Sequence, residues 1–182
     1  MRVAIVLADG FEETEAIIPM NILKRGGVNI KVVSLNDDKV VVGARGFSFL
    51  ADENISGCSA DGGVDLIILP GGMPGAINLF ESKDLDRILR SMNLQGKFIA
   101  AICASPAIVL AAKGLLGTNK FTCYPGFENG ITDGEFTDEN VVISNNFITS
   151  KGVGTAFEFA FALLKILKGE KVLEDVKNQI LL

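Results

Sequence analysis

Phe98-Ile99-Ala100-Ala101-Ile102-Cys103-Ala104-Ser105-Pro106 decides the fold. Its first five residues are an uninterrupted apolar run of strand length, as in a strand buried on both faces. The chain then reaches a cysteine, two small residues and a proline, and continues as Ala107-Ile108-Val109-Leu110-Ala111-Ala112. Proline at the start of an Ala/Leu-rich stretch marks a helix opening. The pattern is strand, sharp turn, helix, with Cys103 on the turn. Small neighbours, Ala101 and Ser105, allow a tight elbow like the strand–nucleophile–helix corner of hydrolases. A thiol there lies near helix-terminal N–H groups, which favour the thiolate. Position alone is equally compatible with a packed core thiol, because free cysteine is among the most buried residue types.

Working outward, the same grammar repeats. Arg2 to Ala8 reads as a buried strand ending at Asp9-Gly10, and Glu12 to Lys24 as a helix closed by Gly26-Gly27. Val28 to Leu35 is a second strand. Asn36-Asp37-Asp38 then turns into a hairpin of Val40–Val42 with Phe47–Leu50. Val64 to Leu69 is a central strand broken by Pro70-Gly71-Gly72, and helical spacing returns at Leu85, Ile88, Leu89 and Met92. After the cysteine elbow come a short strand, Lys120 to Tyr124, and a glycine- and acid-rich loop, Gly126 to Glu139. An outer strand Val141–Ile143, a final strand Phe147–Ser150 and an apolar helix Thr155–Leu167 complete the pattern. Strands alternating with helices predict one α/β domain over 1–182, with a mostly parallel sheet covered on both faces.

Composition narrows the function. Across 182 residues the formal net charge is −5, and Lys and Arg are scattered among acids. That gives no basic stripe for nucleic acid and no polybasic membrane anchor. No apolar run reaches the roughly 18 to 20 residues that span a bilayer. Three cysteines at 58, 103 and 123 form neither a CxxC pair nor a disulfide framework, which points to a reducing, cytoplasmic setting. The chain has no histidine at all. Cys-His and Ser-His dyads, HExxH zinc sites and any imidazole base are therefore excluded. Chemistry must run on thiols, carboxylates, backbone dipoles, Tyr124, Lys or Arg.

In open α/β sheets ligands bind outside the carboxyl ends of the strands. Three signals fall there: Asp9 to Glu15, Pro70-Gly71-Gly72, and Cys103. Glu12, Glu13 and Glu15 suit a helix N-terminus by their charge alone. Glu15, however, adjoins Ala16, Ile17, Ile18 and Met20 and so borders the apolar face. A carboxyl partly buried there has a raised pKa and can exchange a proton with a thiol. Gly71 and Gly72 offer bare backbone N–H groups that, with that of Ala104, suit an oxyanion site; a strand-ending turn would use the same glycines.

These residues resemble the ThiJ/PfpI family, specifically its parkinsonism-associated, deglycase-type branch within the class I glutamine-amidotransferase-like superfamily. The similar segments are Gly10-Phe11-Glu12-Glu13-Thr14-Glu15, Leu69-Pro70-Gly71-Gly72-Met73-Pro74-Gly75-Ala76, Ala100-Ala101-Ile102-Cys103-Ala104, and Ser150 to Ala160. The resemblance implies a flavodoxin-like three-layer sandwich and a homodimer; no cofactor and no metal are expected. It implies that Cys103 is the reactive, oxidation-sensitive nucleophile and Glu15 its buried acid partner. Gly71, Gly72 and Ala104 would line an anion pocket, with Arg25 and Arg45 near its dimer side.

Where many members carry a histidine just before a proline, this chain has Tyr124-Pro125. A phenol donates a hydrogen bond but is a poor base at neutral pH. Peptidase chemistry is accordingly disfavoured. Cys123 is expected to point away from Tyr124's face by strand alternation, and Cys58 lies in a loop-like Ser-Gly-Cys-Ser stretch. Two functions follow from the resemblance. One is a cofactor-independent enzyme acting on methylglyoxal or early glycation adducts of proteins. The other is a non-catalytic oxidative-stress sensor or chaperone, whose Cys103 oxidises to a sulfinic acid held by Glu15.

Overall fold

The computed structural model describes residues 1–57 and 63–182, so Cys58 lies outside the described residues. Its centre is a seven-stranded sheet. The strands are β1 (Arg2–Leu7), β2 (Asn29–Ser34), β5 (Glu53–Asn54), β6 (Leu66–Leu69), β7 (Phe98–Ile102), β10 (Val141–Ser144) and β11 (Phe147–Ser150). Their order is β10-β11-β7-β6-β1-β2-β5. All pairings are parallel except β10 with β11, an antiparallel edge. Outside the sheet lie the hairpin β3 (Val40–Val42) with β4 (Ser48–Leu50) and the two-residue pair β8 (Lys120–Phe121) with β9 (Glu135–Phe136).

Period-two alternation in β1 builds both cores. Val3, Ile5 and Leu7 face one side, where they join Leu23 of α1 (Glu13–Arg25), Phe159 and Leu163 of α4 (Ala156–Lys168), and Leu173 and Val176 of α5 (Glu170–Gln179). Ala4, Val6 and Ala8 face the other side. There they meet Leu79 of α2 (Gly75–Glu81), Leu85, Ile88 and Met92 of α3 (Lys83–Leu94), and Val109 and Leu110 beyond the cysteine. The result is the expected three-layer α/β sandwich. No helix among the described residues is long and apolar enough to cross a membrane.

Several expectations need adjustment. The segment after Cys103 is a short π-helical stretch, Pro106–Ala111, with Ala112 N–H bonded back to the Ala107 carbonyl. Lys120 to Tyr124 keeps strand geometry only over Lys120–Phe121, and the loop 126–139 contributes the short β9. Helices α2 and α5 add to the expected set. In α5 only Leu173 and Val176 are buried, too sparse a stripe to stand out in a polar segment.

The topology places the site. From β1 the chain builds outward to β2 and β5, then returns to the opposite side of β1 as β6. The border between β1 and β6 is therefore the switch point of the sheet, beside whose carboxyl ends ligands bind in such folds. β7 lies next to β6, so Cys103 comes up at that edge.

Candidate active site

Cys103 has φ of +67°, in the left-handed region that non-glycine residues rarely occupy. Such a conformation persists where its surroundings over-determine it, and here they do. The Cys103 N–H donates to the Ser150 carbonyl at 2.9 Å, and the Tyr124 N–H donates to the Cys103 carbonyl at 2.8 Å. Two residues further, buried Ser105 donates its hydroxyl to the Pro70 carbonyl at 2.6 Å. The elbow is thus pinned to three neighbouring segments.

The loop after β1 and the loop after β6 are tied to each other. The Glu12 N–H donates to the Gly71 carbonyl at 2.9 Å. In return the Gly71 N–H donates to Glu15 Oε2, also at 2.9 Å. Glu15 is fully buried, 0% exposed, and its carboxyl stands beside the Cys103 thiol, the two facing the same point next to Gly71. Its second oxygen, Oε1, is buried without a hydrogen-bond partner, on the side where a Cβ placed at Gly152 would approach both it and the Cys103 sulfur.

Burial dominates both titrating groups. Desolvation raises the Glu15 carboxyl from 4.5 to about 7, more than the Gly71 N–H and the thiol pull it down; the nearby Glu12 charge adds to the rise. Desolvation, then the negative charge of Glu15 and its hydrogen bond, push the Cys103 thiol up to about 12. The backbone N–H groups of Gly72 and Ala104 act on the sulfur in the opposite, thiolate-favouring sense, but more weakly. This corrects the expectation of a dipole-stabilised thiolate. Only a six-residue wide helix follows the cysteine, while an acid stands beside it in a dry setting. Between the two groups, Glu15 is the one that changes charge near neutrality.

The thiol opens on a cleft of about 560 Å³ lined by residues including Glu12, Glu15, Gly72, Tyr124, Lys151 and Gly152. Of the residues singled out from sequence, Cys103, Glu15, Gly71, Gly72 and Ala104 come together. Gly71 supports the acid rather than the sulfur, since its N–H is engaged by Glu15. Tyr124 borders the cleft, its ring edge-on to Phe127 at 6.0 Å.

Arg45 also reaches the cleft. Buried Glu13 accepts from the Arg45 N–H at 2.7 Å, and Glu12 stands 3.8 Å from its guanidinium. Arg25 does not reach it. That residue is exposed at the far end of α1, where it donates to Asn21 Oδ1 at 2.8 Å. Cys123 is buried in the opposite core beside Glu128, and is pushed up to about 12 by burial first and that carboxylate second. Among the described residues no group of three or more His, Cys, Asp or Glu is placed to hold a metal ion.

Sequence reasoning assigned no role to the wall Lys151–Thr155. Ser150 Oγ lies 2.6 Å from Thr155 Oγ1, the Gly152 N–H donates to Thr155 Oγ1 at 3.1 Å, and the Thr155 N–H donates to the Gly152 carbonyl at 2.9 Å. Lys151 pairs with Asp138 at 2.5 Å. The run Ser-Lys-Gly-Val-Gly-Thr, two glycines at the carboxyl end of a strand, was the available signal.

Comparison with known proteins agrees with this architecture. The model of the DJ-1/PfpI family matches residues 1–166. The Parkinson disease protein 7 homolog of Danio rerio is 33% identical over 184 residues, covering 100% of this chain and 97% of that protein. The glutathione-independent glyoxalase DJR-1.2 of Caenorhabditis elegans is 36% identical over 162 residues, 87% of this chain and 83% of that protein. Among solved structures, oxidized Toxoplasma gondii DJ-1 superposes with a TM-score of 0.94 at 37% identity, over 99% of this chain and 97% of that one.

Proposed function

The chain belongs to the DJ-1/PfpI family, and from that premise we propose that it is a cysteine-dependent protective enzyme acting on small reactive carbonyls. Methylglyoxal and the early adducts it forms on proteins are the substrate class. One observation carries the reading. A fully buried carboxyl, raised to about 7 and with one oxygen unpartnered, stands beside a thiol on a strained elbow. A group titrating near the working pH is suited to move protons. The glyoxalase named among the relatives supports the same class.

In this reading the Glu15 carboxylate takes the thiol proton as Cys103 sulfur bonds to the aldehyde carbon. The C=O π pair moves onto oxygen, close to the Gly72 and Ala104 N–H groups, and Glu15 returns the proton there. Glu15 next removes the proton from the sulfur-bearing carbon and delivers it to the neighbouring carbon, while the hydroxyl proton passes to the neighbouring oxygen. The hemithioacetal becomes a lactyl thioester without net oxidation. Water then releases lactate and restores the thiol. Tyr124 shapes the cleft and is not required as a base.

The protein is proposed to work as a homodimer, in line with the resemblance. The large exposed apolar side chains Phe47 and Leu50 of the β3–β4 hairpin, with Ile17 of α1, support that assembly. A second reading, an oxidation sensor, is favoured by the N–H groups of Gly72 and Ala104 directed at the sulfur, which suit a sulfinate.

The test is lactate formation from methylglyoxal by reduced protein, with Cys103→Ser and Glu15→Gln alongside. Turnover lost in both variants is the expected result. No turnover by wild type whose Cys103 is verified reduced overturns the enzymatic reading, and selective mass gain at Cys103 under peroxide then favours the sensor.

A further inference from the structure

Gly152 is buried and has φ of 162° and ψ of −162°, an extended conformation open to any residue. Its backbone therefore does not require glycine. What glycine supplies is space. A Cβ at this position would lie 3.5 Å from Tyr124 Cδ2, 3.6 Å from Glu15 Oε1 and 4.0 Å from Cys103 Sγ. All three are ordinary contact distances, so one small volume touches the nucleophile, the unpartnered carboxyl oxygen and the aromatic wall at once. The Ser150–Thr155–Gly152 hydrogen bonds hold the backbone behind it, so the wall does not retreat.

We infer that the space on the Cβ side of Gly152 is the seat of the substrate's reacting end, and that Gly152 is the residue that sets the size of carbonyl compound admitted to Cys103. The inference rests on the carbonyl reading above and adds where the substrate sits. A carbon in that seat needs to move only slightly to reach the ~3–3.5 Å separation from which a nucleophile attacks. Its hydrogen and its oxygen are then both within reach of Glu15 Oε1. The covalent step is the one given above: the S–C bond forms, the π pair goes to oxygen, Glu15 supplies the proton, and nothing is oxidised. A terminal aldehyde carbon, which carries only hydrogen besides its oxygen and one neighbouring carbon, fits this seat, whereas a ketone carbon with a second carbon substituent would press on the Tyr124 ring.

The test is Gly152→Ala, which places one methyl in the seat. Because the added contacts are ordinary, the variant is expected to fold with an unchanged melting temperature. Its kcat/KM for methylglyoxal is expected to fall at least ~tenfold, the scale on which a single methyl(ene) discriminates in a shaped pocket. Oxidation of Cys103 by hydrogen peroxide, which is smaller, should stay close to wild type. Alkylation of Cys103 by iodoacetamide supplies a readout independent of turnover and is expected to slow in step with kcat/KM.

If wild type shows no methylglyoxal turnover, the carbonyl reading fails, and the alkylation-to-peroxide ratio alone decides whether this space governs access to the thiol. Unchanged turnover and alkylation in Gly152→Ala, or equal slowing of peroxide and alkylating agent, overturns the inference.

Discussion

The Gly71 N–H holds Glu15 Oε2 at 2.9 Å and leaves Oε1 of the same carboxyl buried without a partner. One oxygen is thus fixed to the loop after β6 while the other stays free on the cleft side. A carboxyl anchored by one atom keeps its orientation as its proton comes and goes, which a proton carrier beside Cys103 needs.

Turnover should rise with pH through about 7. Glu15 must be a carboxylate to accept the thiol proton, and burial puts its titration near 7. The thiol itself is pushed to about 12, so it adds no inflection between pH 5 and about 9. A kcat/KM profile for methylglyoxal across that range checks this. A flat profile, or one falling through neutrality, contradicts Glu15 as the accepting base.

Glu15 should also make the fold less stable as pH rises. Its folded pKa is raised from 4.5 to about 7, so between those values the folded state binds the proton more tightly than the unfolded chain. The associated stability is fully present below about 4.5 and is lost as pH climbs through about 7, by about 3 kcal/mol in total. Glu15→Gln keeps an acceptor for the Gly71 N–H and removes the titration. Urea unfolding should find the variant more stable than wild type at pH 8 by on the order of 2–3 kcal/mol, and nearly equal to it at pH 4.5. A variant no more stable at pH 8 would refute the buried-acid assignment.

Much of this was readable from residue order. Apolar runs ending in Asp9-Gly10, Gly71-Gly72 and Cys103 gave three parallel strands and the edge where their loops meet, and Glu15 stood out by bordering an apolar stripe. The parts that were not readable depend on depth and distance. Whether helix N–H groups or desolvation governs a thiol is decided by how dry its surroundings are, and here burial and the adjacent Glu15 charge outweigh the Gly72 and Ala104 N–H groups. Arg25 and Arg45 look alike in sequence. Arg45 reaches the cleft because its backbone is held by Glu13, a contact made across 32 positions. The glycines after the last strand marked Gly152 as a turn, but its role depends on the emptiness beside it, created by Tyr124, Glu15 and Cys103 arriving from elsewhere in the chain.

Two glycines flank the thiol, and they should fail differently. A Cβ on Gly71 would lie 2.5 Å from Cys103 Cβ, 2.9 Å from Glu15 Oε2 and 3.0 Å from Cys103 Sγ, and no rotamer change relieves contact with a Cβ atom. The elbow and the acid must move apart, and the elbow is already pinned by Ser150, Tyr124 and, through Ser105, Pro70. Gly71→Ala should therefore cost about 1–3 kcal/mol of stability, the usual penalty for overpacking. It should also lower kcat/KM by more than Gly152→Ala does, since it separates nucleophile from proton carrier instead of crowding the substrate. Thermal unfolding alongside single-turnover kinetics on both variants resolves the two effects. A Gly71→Ala protein as stable as wild type, with Cys103 alkylated at the wild-type rate, would mean that the close approach at Gly71 is not what holds thiol and acid together.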